Sequence, residues 1–234
     1  PNNFTYELFL DEKGEKISKS VGNGISVEDW LKFSPIQILE LFMFQNPTRA
    51  KRLYFDVIPK MTDDYIRLRK EFEGMKNEEK IQSPIWFMNC DDEFEILENF
   101  SFNMILNLAN VCNAESPDIL WGFIENYYKN IDRAKFPLIQ ILLQYGVEYY
   151  KKFVLPKKKY RSPNEKEKKG FLKLLEVLES LDEKSEAEVI QTEIYKIGME
   201  LDFDNLKDWF SAFYQVILGQ DQGPRLGSFI KFYG

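Results

Sequence analysis

From Ser26 to the end of the chain, apolar residues recur at three- and four-residue spacing in one segment after another, and no second run of strand-like residues interrupts them. A sequence with that period can bury its apolar surface only by packing helix on helix, so the pattern predicts a mainly α fold, a helical cage or bundle. Ser26-Val27-Glu28-Asp29 reads as a capped helix start, with aspartate where a capping box carries glutamate. Pro35 opens a second helix with Ile36, Leu39, Phe42 and Met43 on its apolar stripe, closed by Asn46-Pro47-Thr48. A third runs from Thr62 toward Phe72 and ends at Gly74, and further helices are expected at about 92–110, 117–130, 136–153, 165–181, 186–201, 204–218 and 224–233. Stripes such as Phe171, Leu174, Leu175, Leu178 and Leu181 are amphipathic, which leaves each helix one face to bury. The one strand candidate is Phe4–Leu10, ended by the turn Asp11-Glu12-Lys13-Gly14. No fixed period favours a solenoid.

Several classes of chemistry fall away at once. The 234 residues include no histidine, which removes imidazole bases, Ser/His/Asp and Cys/His nucleophiles and His-ligated zinc. Cys90 and Cys112 are too few for a disulfide framework or a thiolate zinc site and fit a reducing cytoplasm, and no metal site is expected. No apolar run reaches the ~20 residues of a membrane span, and Pro1-Asn2-Asn3 opens no signal peptide. The adjacent pairs Asp63-Asp64, Glu78-Glu79 and Asp91-Asp92 point to different helix faces and read as caps and surface. Net charge is −7, yet residues 151–173 hold ten basic residues against Glu165 and Glu167, a net of +8 that leaves −15 on the remainder. That window suits either a solvated helix start or a landing place for phosphates on an acidic protein.

Between the strand candidate and the first helix lies Lys16-Ile17-Ser18-Lys19-Ser20, followed by Val21-Gly22-Asn23-Gly24. Two lysines three apart, with hydroxyls and glycines around them, let ammonium and backbone N–H groups converge on a polyphosphate. The same residues also make plain surface turns. The string resembles the Lys-Met-Ser-Lys-Ser signature of class I aminoacyl-tRNA synthetases, with Ile17 in the methionine position and Ser20-Val21-Gly22-Asn23 extending the match. The resemblance implies an ATP-binding loop of Lys16, Ile17, Ser18, Lys19 and Ser20, in which Lys19 is the catalytic lysine stabilising the pyrophosphate during amino-acid activation. That family also needs a His-Ile-Gly-His type motif, and a chain without histidine is expected to be part of a longer enzyme, inactive by itself, with Pro1 inside the parent polypeptide.

The run Tyr214 to Phe229, with Leu218-Gly219-Gln220 and Gly223-Pro224-Arg225, and the stretch Pro35–Asp56 both look like class I lysyl-tRNA synthetases. The resemblance covers residues 6–70 and 209–234; the stretch between is similar only in being helical and lysine-rich. It implies an α-helix cage that binds the anticodon of lysine tRNA, joined by a stem-contacting helical segment to the catalytic domain. RNA readers stack bases on aromatic rings and hold phosphates with cations. The candidate tRNA-binding residues are Tyr214, Gln220, Arg225, Ser228, Lys157, Lys158 and Lys159, with Gln220 where glutamyl relatives place an anticodon-reading arginine. Trp209 and Phe213 share the helical spacing of Val216 and read as core before they read as base-stacking residues. Arg225 serves equally as a carbonyl cap or ion-pair partner.

The expected organisation is 1–25, the end of the catalytic nucleotide fold with its loop; 26–75, the stem-contact segment; and 76–234, the anticodon-binding domain. The parent would activate lysine with ATP and transfer it to lysine tRNA, with lysine and ATP held by the missing catalytic domain. A cytoplasmic monomer with neither membrane nor DNA as partner is expected. The alternatives are a glutamyl-type synthetase fragment and a helical protein-interaction module unrelated to tRNA.

Overall fold

The computed structural model describes residues 5–88, 97–182, 185–201, 203 and 205–233. In chain order the elements are β1 (Phe9–Leu10), α1 (Val27–Trp30), α2 (Ile36–Phe44), β2 (Lys51–Arg52), α3 (Val57–Gly74), α4 (Asn77–Lys80), α5 (Phe102–Val111), α6 (Pro117–Tyr127), α7 (Pro137–Tyr149), α8 (Glu165–Ser180), α9 (Ala187–Glu200), α10 (Leu206–Phe213) and α11 (Leu226–Tyr233). The mainly α class read from the sequence is what these residues adopt. No described helix is long and apolar enough to cross a membrane. The chain divides into two compact units, one of residues 1–105 and 132–148, the other of residues 106–131 and 149–234.

In the first unit, Ser26 caps α1 as its spacing predicted, its Oγ accepting from Asp29 N and donating to the Asp29 carboxylate, each at 3.0 Å. The core is built on Trp30, Ile38, Leu41, Phe42, Ile58, Met61, Tyr65 and Ile66. The buried stripe of α2 is Ile38, Leu41 and Phe42, rotated from the expected one, and Ile36 is left exposed at the first turn. The strand read over Phe4–Leu10 contracts to β1; Phe4 lies outside the described residues. Its length is set by its partner, β2, a two-residue parallel neighbour with Phe9 opposite Lys51 and Leu10 opposite Arg52. The sequence did not mark β2 because Lys-Arg carries no strand signal. What holds it is Lys51, whose ammonium donates to the carbonyls of Phe42, Met43 and Gln45 at 2.6, 3.1 and 2.7 Å, closing the C-terminus of α2. Burial lowers the pKa of this amine.

Helix α3 begins at Val57, before the expected Thr62. Pro59 sits in its first turn, where its missing N–H costs nothing, and Thr62 is an interior residue whose hydroxyl donates back to Ile58 O at 2.8 Å. Gly74 ends it as predicted. The helix expected over 92–110 is α5, starting at Phe102; residues 92–96 lie outside the description, and Asn99 has φ 57° in the turn before it. Its first N–H groups are satisfied from a distance: the Asp63 carboxylate accepts from Phe102 N at 2.5 Å and Asn103 N at 3.4 Å, while burial raises the carboxyl pKa against those bonds. The Glu78-Glu79 pair fits its reading as cap and surface, with Glu79 accepting from Lys76 N at the start of α4, while Asp91 and Asp92 lie outside the described residues.

In the second unit Leu174, Ile190, Ile194, Ile197, Trp209, Phe213 and Leu226 form the core. Trp209 is fully enclosed, donates Nε1–H to Ile194 O at 3.1 Å and packs against Phe171 and Phe203. Trp209 and Phe213 are therefore core, as their spacing indicated. Of the α8 stripe, Leu175 instead faces solvent. Asn164 and Glu167 cap α8 reciprocally, each side chain accepting from the other's N–H at 2.8 Å. The segments expected as single helices over 136–153 and 204–218 each end in one π turn, Tyr150–Val154 and Tyr214–Leu218.

Candidate functional site

The Lys16–Ser20 loop is fixed by one side chain. Leu10 and Lys16 form an antiparallel bridge and Ile17 N donates to Phe9 O at 3.0 Å, which returns the chain alongside β1. Asn23 then holds the loop from within, its Oδ1 accepting from Ser18 N at 3.0 Å and its Nδ2 donating to Lys16 O at 3.2 Å and the Asp11 carboxylate at 2.9 Å. Those bonds, Asn23 first and Glu15 N next, hold the Asp11 carboxyl below its usual pKa. Gly24 has no side chain because a Cβ there would lie 2.6 Å from Ile17 Cγ2, which is how Ile17 packs inward. Ser18 and Ser20 pair hydroxyl to hydroxyl at 2.8 Å. Lys16 and Lys19 are exposed and form no ion pair with a described residue. The N–H groups of Lys19 and Ser20 bond to no described carbonyl, so donors and charge are both uncommitted.

The C-terminal candidates gather at the end of the second π turn, in the second unit. Gly219 takes the left-handed conformation at φ 67°, ending the turn, and its carbonyl accepts from Lys159 N at 2.9 Å. This bond brings the lysine run onto the Leu218-Gly219-Gln220 corner. Gln220 is half-buried, with Oε1 accepting from Asn110 Nδ2 at 2.9 Å. Asn110 is buried and its Oδ1 has no partner among the described residues. Lys158 turns inward: its ammonium donates to Asn110 O, to Asn113 Oδ1 at 2.9 Å and to the Tyr160 hydroxyl at 3.0 Å. Lys157 and Lys159 stay exposed. Arg161 forks onto the Glu167 carboxylate at 2.7 and 2.8 Å and reaches Gln215 Oε1 at 2.7 Å.

Tyr214 shapes the corner, since its hydroxyl donates to Pro224 O at 2.7 Å and its ring fills the space beside Gly223. Burial raises its pKa. Arg225 lies 3.4 Å from Glu188 with both side chains exposed, a weak surface pair. Ser228 is exposed on α11. The structure thus gathers Lys157, Lys158, Lys159, Tyr214 and Gln220 at one corner, with Arg225 and Ser228 further along the chain. Asn110, Asn113 and Tyr160 are the members that sequence reasoning missed. Tyr160 carried a signal, an aromatic inside a basic run, whereas the two asparagines are distant in sequence and carried none.

Residues 1–90 match the family model described as tRNA synthetases class I (K). Over 237 aligned residues the chain is 45% identical to the lysine--tRNA ligase of Rickettsia peacockii (strain Rustic) and to that of Rickettsia felis (strain ATCC VR-1525 / URRWXCal2). It is 46% identical to the lysine--tRNA ligase of Rickettsia bellii (strain OSU 85-389). Each alignment takes in 100% of this chain and 45% of the relative, so the chain spans under half the length of the curated relatives it matches. The resemblance drawn from the Lys16–Ser20 loop and the Leu218–Ser228 corner is borne out, and it extends across the helical middle as well.

Proposed function

We infer that this chain is the C-terminal portion of a class I lysyl-tRNA synthetase, the part that carries the ATP loop and grips the anticodon end of lysine tRNA. Residues 1–25 would close the catalytic nucleotide fold, 26–75 contact the tRNA stem and 76–234 form the anticodon-binding domain, in a cytoplasmic monomer. The parent joins the lysine carboxylate to the α-phosphate of ATP, releasing pyrophosphate, and then passes the lysyl group to a terminal ribose hydroxyl of the tRNA.

The observation that carries this reading is the state of the loop, in a chain alike throughout to lysine ligases: Asn23 fixes its backbone while the ammonium groups of Lys16 and Lys19 pair with no described residue. Negative charge grows on the bridging and leaving oxygens as pyrophosphate departs. A cation on a loop that closes over them lowers the barrier without changing the ground state. Lys19 has that role, with Lys16, the serine hydroxyls and the uncommitted N–H groups positioning the phosphates. Lys157, Lys159, Gln220, Arg225 and Ser228 would meet the RNA, while Lys158 and Tyr214 hold the corner in shape.

The test is binding of this chain to a lysine-tRNA anticodon stem-loop, beside the glutamate stem-loop and lysine loops with one anticodon base changed. Discrimination of ~1–3 kcal/mol per changed base, the scale of direct base readout on DNA, supports an anticodon reader. Equal binding leaves only a basic patch, and salt-insensitive or absent binding favours the protein-interaction module. In the full-length protein Lys19→Ala should cut ATP–pyrophosphate exchange about 100- to 1,000-fold, the usual cost of one preorganised transition-state donor. The chain alone should show no lysine-dependent exchange.

A further inference from the structure

We propose that Tyr160 is a base-stacking platform, whose open ring face takes one unpaired nucleobase of the bound RNA while Lys157 and Lys159 neutralise the adjoining phosphates. The proposal rests on the reading of this chain as an RNA binder and adds to it the residue on which a base stacks.

The geometry of the ring carries the argument. A Cβ built on Gly219 would lie 3.2 Å from each of Cε1, Cε2 and Cζ of Tyr160. A point equally close to those three atoms stands over the ring face, not beside its edge, so the Gly219 backbone backs one face. Tyr160 is nevertheless 55% exposed, which leaves the opposite face to solvent. The Lys158 ammonium is 3.0 Å from the hydroxyl but 5.5 Å from the ring centroid, so it binds the phenol from beyond its end and covers neither face. Lys158 is in turn tied to Asn110 O and Asn113 Oδ1, and Lys159 N is tied to Gly219 O, so the ring is pinned by groups that are themselves held.

A surface tyrosine in an ordinary loop keeps its rotamer freedom and loses it on binding. Here that cost has already been met in folding, which is what a stacking platform requires. The setting supplies the rest: Tyr160 follows three consecutive lysines, and of these Lys157 and Lys159 remain exposed for phosphate. Arg161 takes no part, because its guanidinium is occupied by Glu167 and Gln215. Stacking needs only a π face on the ligand, so this residue contributes affinity for a splayed base without choosing which base it is.

The experiment is a salt titration of the chain against the lysine-tRNA anticodon stem-loop with wild type, Tyr160→Leu, Tyr160→Trp and Lys157→Ala. Stacking measured by substitution corresponds to about 5- to 150-fold in affinity, and Tyr160→Leu should lose that at every salt concentration with the slope of log affinity on log salt unchanged. Tyr160→Trp should restore most of the loss, which a purely structural role for the hydroxyl would not allow. Lys157→Ala should reduce the slope by about 0.7, the single-strand value for one phosphate contact. Wild-type binding that Tyr160→Leu leaves intact, or a loss that Tyr160→Trp shares fully, overturns the proposal and spares the RNA-binding reading. Absence of wild-type binding overturns both.

Discussion

Glu167 offers the sharpest test of how the corner is held. It is buried, accepts both arms of the Arg161 guanidinium, and closes the capping box of α8 through Asn164 N. Glu167→Ala removes the charged pair, worth about 1.5–3 kcal/mol per hydrogen bond to an ionised group, and the cap bond, worth about 1 kcal/mol. Stranding a buried charge would cost about 3–5 kcal/mol, but the Arg161 side chain is 39% exposed and turns to water when its partner goes. With that relief the two Arg161 bonds together count as about one bond to an ionised group, about 1.5–3 kcal/mol, which with the cap gives an expected loss of about 2.5–4 kcal/mol. Glu167→Gln keeps one oxygen for the cap but puts an amide NH2 where the other oxygen met Arg161, so it loses the charge and one arm of the fork and should cost about 1.5–3 kcal/mol.

The pH dependence separates the charge from mere packing. The Arg161 bond, followed by the Asn164 bond, lowers the Glu167 pKa from its usual 4.5, against an opposing push from burial. A folded-state pKa below the unfolded one gives stability that is complete above the unfolded value and is lost as pH falls through the folded value. Urea unfolding of wild type and Glu167→Gln should show their difference full at neutral pH and shrinking below 4.5. A difference that stays constant across that range, or an alanine variant costing under about 0.5 kcal/mol, the scatter of plain surface changes, refutes the reasoning.

Asn23→Ala should loosen the Lys16–Ser20 loop without unfolding its unit, at about 1 kcal/mol. Hydrogen exchange at the Ser18 amide should then accelerate severalfold, and NMR titration should find the Asp11 carboxyl moved up toward its ordinary value, because the Asn23 bond is the largest cause of its depression; an unmoved Asp11 counts against the assignment. Gly227→Ala would drive a methyl into the Ala187 carbonyl and to 2.7 Å from Gln191 Cβ on the facing helix, where backbone cannot yield, and thermal unfolding should register a loss of about 3 kcal/mol. Gly122→Ala in α6 meets nothing within 4 Å and should gain up to about 1 kcal/mol from helix propensity, so equal outcomes for the two glycines would refute the close-packing account.

The helical class, most helix positions, the Ser26 cap, the Gly74 stop and the loop between strand and helix were all legible before any fold was known. These are legible because they rest on local physics: apolar spacing, capping side chains, glycine at a helix end and the bonding habits of short polar residues. Trp209 and Phe213 were readable as core for the same reason. Where local signals pointed wrongly, a distant group had settled the matter. Lys51 made a strand of Lys-Arg by closing the carbonyls of α2, and Asp63 set the start of α5 from 39 residues away. The candidate RNA face divides along the same line. Lys157, Lys159 and Gln220 could be named from composition and motif, but it took the folded chain to turn Lys158 inward, to bring Asn110 onto Gln220 and to set Gly219 behind the Tyr160 ring. Each of those is a contact between residues 45 or more apart in sequence, and a side chain's role there depends on what folding brings against it, which no window of neighbouring residues contains.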